Sequence, residues 1–432
     1  MRFLLVVALT FIVSLPARAG VEIKEVTSPG GLTAWLVEEH SIPFVALEIR
    51  FRGGASLDAP GKRGATNLMM GLLEEGAGDL DSQGFARVSE ALAARFSYDV
   101  GDDTASVSAR FLTENRDEAV DLLRLSLIEP AFDEPSLERV RQQVIAGIRS
   151  SENDPNDIAG RAFDAQTFGD HPYGTALEGS LESVQALTRD DILAAHKAVL
   201  ARDRIYIGAV GDITAEELGI LLDRLLGDLP VTGALMPEKV TPTLDGSTSV
   251  VEFDTPQSVA LFGQVGMERD DEDFFAAYLL NTILGGGGFE SRLMEEVRVK
   301  RGLTYGVYSY LVPKDHAALY LGSVSSANDR IGEAIEVIRA EWDRMATKGV
   351  TPEELDKAKA LLTGAYPLRF DGNGSIARIM VGMQMEDLPI DYIATRNDKV
   401  NAVTLEEVNR VASELLKPDG LTFVVVGKPD GV

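Results

Sequence analysis

Two stretches with one pattern, LTRDDI at residues 187–192 and VTLEEV at residues 403–408, decide the organisation of this chain. Each begins with an apolar residue and a threonine, continues into a predicted helix and ends in a predicted strand, at residues 205–211 and 421–427. A second pair, EPSLE at residues 134–138 and PEELD at residues 352–356, opens a long predicted helix in each case. Because the members of each pair lie 216 to 218 residues apart, the sequence predicts two similar halves.

Within the first half, predicted strands and helices mix without regular strand–helix–strand alternation, which favours the α+β class over a doubly wound sheet. Strands are expected at residues 21–26, 32–37, 43–51 and 204–210, with two short strands within 98–111. Helices are expected at residues 65–75, 82–96, 118–127, 136–151, 189–200 and 215–226. The acidic stretch at residues 152–157 is expected to be a loop, and Gly372-Asn373-Gly374 a turn.

The two ends of the first half are marked by composition. Arg2, an apolar run at residues 3–15 and the small-x-small triplet Ala17-Arg18-Ala19 predict an export signal that is cleaved near Gly20. Residues 229–249 are rich in Pro, Gly, Ser and Thr. We therefore predict a signal peptide at residues 1–19, an N-terminal domain at 20–230, a linker at 231–248 and a C-terminal domain at 249–432.

Composition also limits the compartment and the partners. The apolar run of the predicted signal is too short to span a bilayer, and no second apolar stretch of about 18 residues follows it. We therefore expect a soluble periplasmic or secreted protein without a membrane span. The absence of cysteine excludes a disulfide framework. A formal charge of −27 argues against binding to nucleic acid or to anionic membranes.

The stretch NTILGGGGFESRLMEEVRVKRGLTYGVYSY at residues 281–310 is the strongest candidate for a functional element. Four consecutive glycines are costly to order, since glycine loses more backbone entropy on folding than any other residue. Such a run is retained where the backbone must approach another backbone or a ligand closely, although a flexible hinge is the alternative from the glycines alone. A charged helical segment is predicted at residues 290–300 and an alternating strand-like run at 303–308.

Conventional hydrolase motifs are absent from the sequence. The four histidines are His40, His171, His196 and His316, and no two lie within one helical turn, so the chain has no HxxEH pair for zinc. No Gly-x-Ser-x-Gly motif is present either. His171, in HPYG, is expected to cap a turn.

Three segments taken together resemble the pitrilysin (insulinase-type) metallopeptidases, particularly the two-subunit bacterial and mitochondrial-processing-peptidase-like branch. They are GKRGA at residues 61–65, GDHPYG at 169–174 and the stretch at 284–310. The resemblance covers nearly the whole mature chain. It implies a duplicated α+β fold in which each half is a mostly antiparallel sheet packed with helices.

The same resemblance implies that this chain carries no metal. The family's HxxEH motif lies on the first core helix, where the two histidine positions fall on Asn67 and Gly71 and the glutamate base falls on Met70. The third zinc ligand, a glutamate near the end of the long helix, falls on Gly147. All four positions are replaced, three of them by residues that cannot bind zinc or accept a proton. Any zinc is therefore expected in a partner subunit.

A second element of the family is intact. Members carry an arginine and a tyrosine seven residues apart, which the C-terminal half supplies to a zinc site in the other half or subunit; here the matching residues are Arg298 and Tyr305. A guanidinium and a phenol can stabilise the negative charge that develops on a carbonyl oxygen during peptide hydrolysis. Arg301 and Tyr308 are the alternatives if the register slips. The resemblance also implies substrate binding by the loop formed by Gly285, Gly286, Gly287 and Gly288.

We therefore expect a zinc-less subunit of a two-chain exported peptidase. It would pair with an HxxEH-bearing homologue as a heterodimer, bind unfolded peptides and be inactive alone. An inert scaffold or peptide-binding protein of the same fold is the alternative, against which the intact Arg298 and Tyr305 argue. A self-sufficient hydrolase with another site is the third possibility.

Overall fold

The computed structural model of the chain describes residues 22–432. The predicted export signal and the first residue of the first predicted strand lie outside the described residues. Two large sheets dominate the structure, one of six strands and one of five, and a two-stranded hairpin accompanies them. Between residues 22 and 432, no helix is both long enough and apolar enough to cross a bilayer.

The elements up to residue 226 build the six-stranded sheet, the hairpin and eight helices. The strands are β1 (Lys24–Thr27), β2 (Thr33–Glu38), β3 (Phe44–Arg52), β4 (Gly76–Ala77), β5 (Leu80–Asp81), β6 (Arg95–Val100), β7 (Thr104–Leu112) and β8 (Ile205–Gly211). The helices are α1 (Ala65–Leu72), α2 (Ser82–Ala91), α3 (Arg116–Ile128), α4 (Glu134–Ser151), α5 (Pro155–Phe168), α6 (Leu181–Ala186), α7 (Arg189–Val199) and α8 (Ala215–Leu226).

The elements from residue 248 onward build the five-stranded sheet and six further α-helices. The strands are β9 (Thr248–Glu252), β10 (Gln257–Val265), β11 (Val307–Lys314), β12 (Ala317–Ala327) and β13 (Thr422–Gly427). The helices are α9 (Phe274–Asn281), α10 (Ile331–Lys348), α11 (Pro352–Ala365), α12 (Asn373–Met385), α13 (Tyr392–Ala402) and α14 (Leu405–Leu415). Thr282–Gly286 and Met294–Val299 form π-helical turns.

The strand order demonstrates the duplication. The first sheet runs β1-β2-β8-β3-β7-β6, and the second, read from its other edge, runs β9-β13-β10-β12-β11. In each sheet a single parallel pair, β2 with β8 or β9 with β13, adjoins an antiparallel remainder. The second sheet therefore repeats the first without β1, and the predicted α+β fold with two similar halves is confirmed.

The repeated sequence patterns begin equivalent helices. Thr188 caps α7 and Thr404 caps α14, and each threonine exchanges hydrogen bonds with an acidic side chain three residues later, Asp191 or Glu407. This reciprocal arrangement satisfies backbone donors that the first helical turn would otherwise leave unpaired. The similarity of LTRDDI and VTLEEV thus reflects one capping structure used twice.

Each half lends a helix to the sheet of the other. Helix α5 packs on the second sheet, where the buried Phe163 lies 2.8 Å from the position a Cβ atom would occupy on Gly263 of β10. Helix α12 packs on the first sheet, where the carbonyl oxygen of Ala377 lies 2.7 Å from the corresponding position on Gly208 of β8. A glycine within a strand allows such close approach of another element. The two halves are therefore interlocked.

Four local predictions from the sequence were wrong. The strand-like run expected at residues 303–308 becomes a strand only from Val307, where β11 begins. The helix predicted at residues 82–96 ends at residue 91, because Ala93 adopts a φ of +51° and the chain turns into β6. The acidic stretch at residues 152–157 is not a loop throughout, since Asp154 caps α5 and Pro155 occupies its first turn. Gly372 precedes the first residue of α12, so Gly372-Asn373-Gly374 is the start of a helix rather than a plain turn.

Candidate functional site

The glycine-rich run connects α9 to strand β11 through a compact, folded segment. The π-helical turn Thr282–Gly286 continues α9, a short 3-10 turn covers Gly288–Glu290, and a second π-helical turn follows at Met294–Val299. The helical segment predicted at residues 290–300 is thus present, with wider turns than an ordinary α-helix. π-turns are rare and occur frequently at functional sites.

Three of the four glycines are required by contacts within the chain. A Cβ atom on Gly285 would overlap the Oγ of Ser309 in β11 and would lie 2.7 Å from the Ser309 backbone nitrogen. On Gly286 it would lie 2.6 Å from Asn281 Nδ2, and on Gly287 it would lie 2.5 Å from the Thr282 carbonyl oxygen. Gly288 has open space around it but adopts a φ of +64°. The run therefore packs against neighbouring residues of its own chain.

Arg298 has surroundings unlike those of the basic residues that follow it. Its guanidinium carbon lies 4.6 Å from the ring centroid of Phe289, and this ring is 67% exposed. In the part of the chain that the structure describes, no carboxylate oxygen lies within 4 Å of this guanidinium. Lys300 and Arg301, in contrast, each contact Glu296 at 2.7 Å. Burial would raise the pKa of Glu296, but the hydrogen bonds from Lys300 and Arg301 lower it.

Tyr305 precedes β11 and is 85% exposed, which leaves its hydroxyl accessible to a binding partner. Tyr308, the alternative tyrosine, is 50% exposed, and its hydroxyl lies close to Gly306, 2.8 Å from where a Cβ atom on that glycine would be. Ser309, which follows Tyr308 in β11, is the residue that Gly285 packs against. The structure thus brings Arg298 to Phe289 at the end of the glycine run, and Tyr305 lies two residues before the first residue of β11.

A cleft of about 640 Å³ opens between the glycine-rich segment and α11. Its lining combines Gly287, the exposed Phe289 and Leu361 with the acidic residues Glu290 and Glu354. This volume is within the range of small-molecule and side-chain pockets. No local pattern predicts this cleft, because Leu361 and Glu354 lie more than 60 residues from the glycines and reach it only through packing.

One wall of this cleft is held by a two-pronged ion pair. Arg292 Nε and Nη2 donate to the two carboxylate oxygens of Glu354 at 2.7 and 2.8 Å. Burial would raise the pKa of Glu354, but the hydrogen bonds from Arg292 and from Thr351 lower it to about 2. The pair therefore joins the glycine-rich segment to the start of α11 as a fixed charged contact.

The positions predicted to replace the family's zinc ligands do not fit a metal ion. Asn67, Met70 and Gly71 lie on α1, where Met70 is only 1% exposed and a Cβ atom on Gly71 would lie 3.2 Å from Val140 of α4. Gly147 is exposed on α4, and nothing lies within 4 Å of its Cβ position. Across residues 22–432, no group of three or more His, Asp or Glu side chains is arranged to hold a metal.

Met70 and the segment that carries Arg298 belong to separate hydrophobic cores. Met70 packs in the core under the first sheet, and Val297, next to Arg298, packs in the core under the second.

The predicted cap at His171 is present, since its Nδ1 accepts a hydrogen bond from the Tyr173 backbone nitrogen at 3.2 Å.

The amino-acid sequence of the chain is similar to known families and to known proteins. Residues 34–180 match the family described as Insulinase (Peptidase family M16), and residues 186–362 match the one described as Peptidase M16 inactive domain. A protein named non-peptidase homolog in Helicobacter pylori is 29% identical over 393 residues, which cover 90% of each chain. An uncharacterized zinc protease of Streptomyces coelicolor is 25% identical over 410 residues, or 91% of this chain and 87% of the relative.

Solved structures agree with the sequence matches. The crystal structure of a peptidase M16 inactive domain from Pseudomonas fluorescens superimposes with a TM-score of 0.88 at 29% identity, covering 94% of this chain and 98% of the other. A protease from Helicobacter pylori shares the fold with a TM-score of 0.82 at 19% identity, covering 94% and 99%. Since both halves match in sequence and the duplicated fold matches over nearly its full length, the chain belongs to the M16, or insulinase-type, family of peptidases.

Proposed function

We propose that this chain is a zinc-less subunit that completes the peptidase site of a second, HxxEH-bearing chain of the same family. The environment of Arg298 carries the proposal. This guanidinium rests on an exposed phenylalanine ring while the neighbouring cations are neutralised by Glu296. In a chain with 68 acidic and 41 basic residues, a cation kept away from carboxylates is suited to a ligand.

The chemistry follows from two donors, the half-buried Arg298 and the exposed Tyr305. The partner would supply a metal-activated water for attack on the scissile carbonyl. Arg298 and Tyr305 would donate hydrogen bonds to the substrate, where the guanidinium and the phenol stabilise negative charge on the carbonyl oxygen. The structure favours this pair over Arg301 and Tyr308, because Arg301 is already bonded to Glu296 and Tyr308 is less exposed.

The cleft beside the glycine run would hold part of the peptide. Phe289 and Leu361 offer apolar contact, and the acidic residues Glu290 and Glu295 attract positively charged segments. Gly287 lines this cleft and Gly288 has open space at its Cβ position, so we assign the contact with substrate to this outer end of the glycine run. The bound peptide is expected to be unfolded.

The organisation of the precursor is part of the same proposal. Residues 1–19 would direct export to the periplasm or the medium, with domains at residues 20–230 and 249–432 joined by residues 231–248. The joining segment is anchored, since the Val240 backbone nitrogen donates to the His316 carbonyl at 2.9 Å and Thr243 donates to Thr167 at 2.8 Å.

A peptidase assay with fluorogenic peptides tests the proposal. The purified chain, the HxxEH-bearing homologue from the same source and their 1:1 mixture are compared. Activity is expected only in the mixture. Arg298→Ala and Tyr305→Phe are each expected to lower kcat by about 100-fold, as loss of a transition-state donor does. Arg301→Ala and Tyr308→Phe are the matched controls and are expected to retain activity.

Other results would redirect the interpretation. An inert mixture without complex formation in gel filtration would favour the inert scaffold or peptide-binding protein. A relative named non-peptidase homolog is compatible with either role. Zinc-dependent activity of this chain alone would show that the matching of Asn67, Met70, Gly71 and Gly147 to the zinc motif is incorrect.

A further inference from the structure

Three arginine side chains converge on the face of the first sheet that receives α12. They are Arg95 on β6, Arg110 on β7 and Arg378 on α12, and they line a pocket of about 300 Å³. Arg95 and Arg110 are directly opposite each other in the β6–β7 register. Arg110 Nη2 and Arg378 Nη1 lie 3.2 and 3.7 Å from one point, the position that a Cβ atom would occupy on Gly374. We call this site the arginine pocket.

The three arginines of the pocket are exposed to solvent, and no carboxylate in residues 22–432 forms an ion pair with them. Like charges directly opposite each other across antiparallel strands are destabilising. Among residues 22–432, none of the three guanidinium groups has a carboxylate oxygen within 4 Å. The one carboxylate in the lining, Glu48, is buried and is bonded to Arg50 and to Ser108. A chain with a net charge of −27 therefore keeps three arginines together without neutralising them.

The start of a helix also borders the same pocket. Ser97 and Ser108 line it from β6 and β7, but their hydroxyl groups already donate to Asp99 and Glu48. Gly374 lies in the first turn of α12, and Gly372 at the cap position provides no side chain to satisfy that turn. An uncapped helix start adds partial positive charge to the three guanidinium groups. The pocket thus presents donors and positive charge with a volume suited to one or two amino-acid residues.

We propose that the arginine pocket binds a carboxylate of a peptide held by this chain, either the C-terminal carboxylate or an Asp or Glu side chain. A planar guanidinium makes two parallel hydrogen bonds to a carboxylate, which explains the use of arginine rather than lysine. The restriction to peptides rests on the proposed function. Because α12 belongs to the second half and β6 and β7 to the first, both halves contribute to the site.

Fluorescence anisotropy with labelled peptides and the isolated full-length chain tests this proposal. The probes are an uncharged decapeptide with a free C-terminus, the same peptide amidated, and an amidated version with one internal Glu. The free acid is expected to bind about tenfold more tightly than the amide, as the loss of a charge-assisted hydrogen bond predicts. The amidated peptide with an internal Glu is expected to bind as tightly as the free acid if the pocket accepts side-chain carboxylates. It is expected to bind as weakly as the plain amide if the pocket accepts only the C-terminal carboxylate.

Variants link this difference to the arginine pocket. Arg110→Gln and Arg378→Gln are expected to abolish the preference for the acid. Arg87→Gln, which removes an exposed arginine from α2, is the matched control and is expected to keep it. Circular dichroism verifies that each variant is folded. Equal binding of all three peptides, or an unchanged preference in Arg110→Gln and Arg378→Gln, would overturn the proposal. The anisotropy experiment contains no partner chain. If the peptidase assay with the partner fails, the free acid and the amide are therefore still expected to bind differently here, so the two proposals can fail separately.

Discussion

Gly285 is the glycine of the run whose replacement is expected to be the most damaging. A Cβ atom there would overlap Ser309 Oγ and lie 2.7 Å from the Ser309 nitrogen, a backbone atom of β11 that cannot rotate away as a side chain can. Gly285→Ala therefore forces the end of α9 away from β11. Overpacking of this kind costs about 1–3 kcal/mol. For a half of roughly 200 residues, this corresponds to a fall in Tm of about 2–12 °C.

Thermal unfolding followed by calorimetry measures this effect, with two glycine variants as controls. Gly288→Ala meets no atom but must hold a φ of +64°, so a smaller loss of about 1 kcal/mol is expected. Gly147→Ala, on an exposed helical face with free space, is expected to stabilise the protein by about 0.5–1 kcal/mol. Adding Ser309→Gly to Gly285→Ala removes the Oγ overlap and should recover part of the loss.

If Gly285→Ala unfolded at the same temperature as the wild-type protein, this explanation of the glycine run would be refuted. If the same variant instead lost peptide binding while keeping its stability, close approach of a ligand would be the reason for Gly285. Destabilisation without loss of binding by the remaining folded protein is the expected result.

The remaining predictions concern buried and paired side chains. Met70→Glu would bury an unpaired carboxylate and is expected to cost about 3 kcal/mol or more in urea unfolding, whereas Met70→Leu should cost under about 1.5 kcal/mol. Burial raises the pKa of Asp164 to about 6 from 3.8, so this group destabilises the folded state increasingly as pH rises through that window. Asp164→Asn should therefore stabilise the protein by about 1–3 kcal/mol at pH 7.5 and have no such effect below pH 3.8, measured by urea unfolding at both values. Glu354 has the opposite sign: its folded pKa of about 2 lies below the ordinary 4.5, so its contribution is present above pH 4.5 and is lost toward pH 2. Glu354→Gln should cost about 1 kcal/mol at pH 7, after allowance for solvent screening, and should match the wild type near pH 2 in the same assay.

Local patterns in the sequence predicted most elements correctly. The helix expected at residues 215–226 is α8 with the same bounds, and the strand expected at 204–210 is β8, displaced by one residue. These predictions succeed because periodicity and capping residues act over one or two turns. The helix expected at 82–96 failed because the apolar pattern of α2 continues without interruption into β6, and only the φ of Ala93 separates them.

For the candidate site, the sequence predicts individual residues but not what surrounds them in the fold. Arg298 and Tyr305 were identified from the family pattern, whereas Phe289 and Leu361 were missed because nothing in their local sequence distinguishes them from core residues. The arginine pocket was also missed. Its members come from β6, β7 and α12, and an arginine in an amphipathic pattern predicts only an exposed position.

By itself, the sequence determined that the chain is duplicated and that it contains no HxxEH motif, because both are properties of residue identity and spacing. Only the tertiary structure decided that α5 and α12 are exchanged between the halves, that Gly285 serves packing on β11, and that Arg298 lacks the carboxylate partner its neighbours have. These features depend on contacts between residues far apart in the chain. Such contacts are selected by close packing and by burial of charge, which no local pattern encodes.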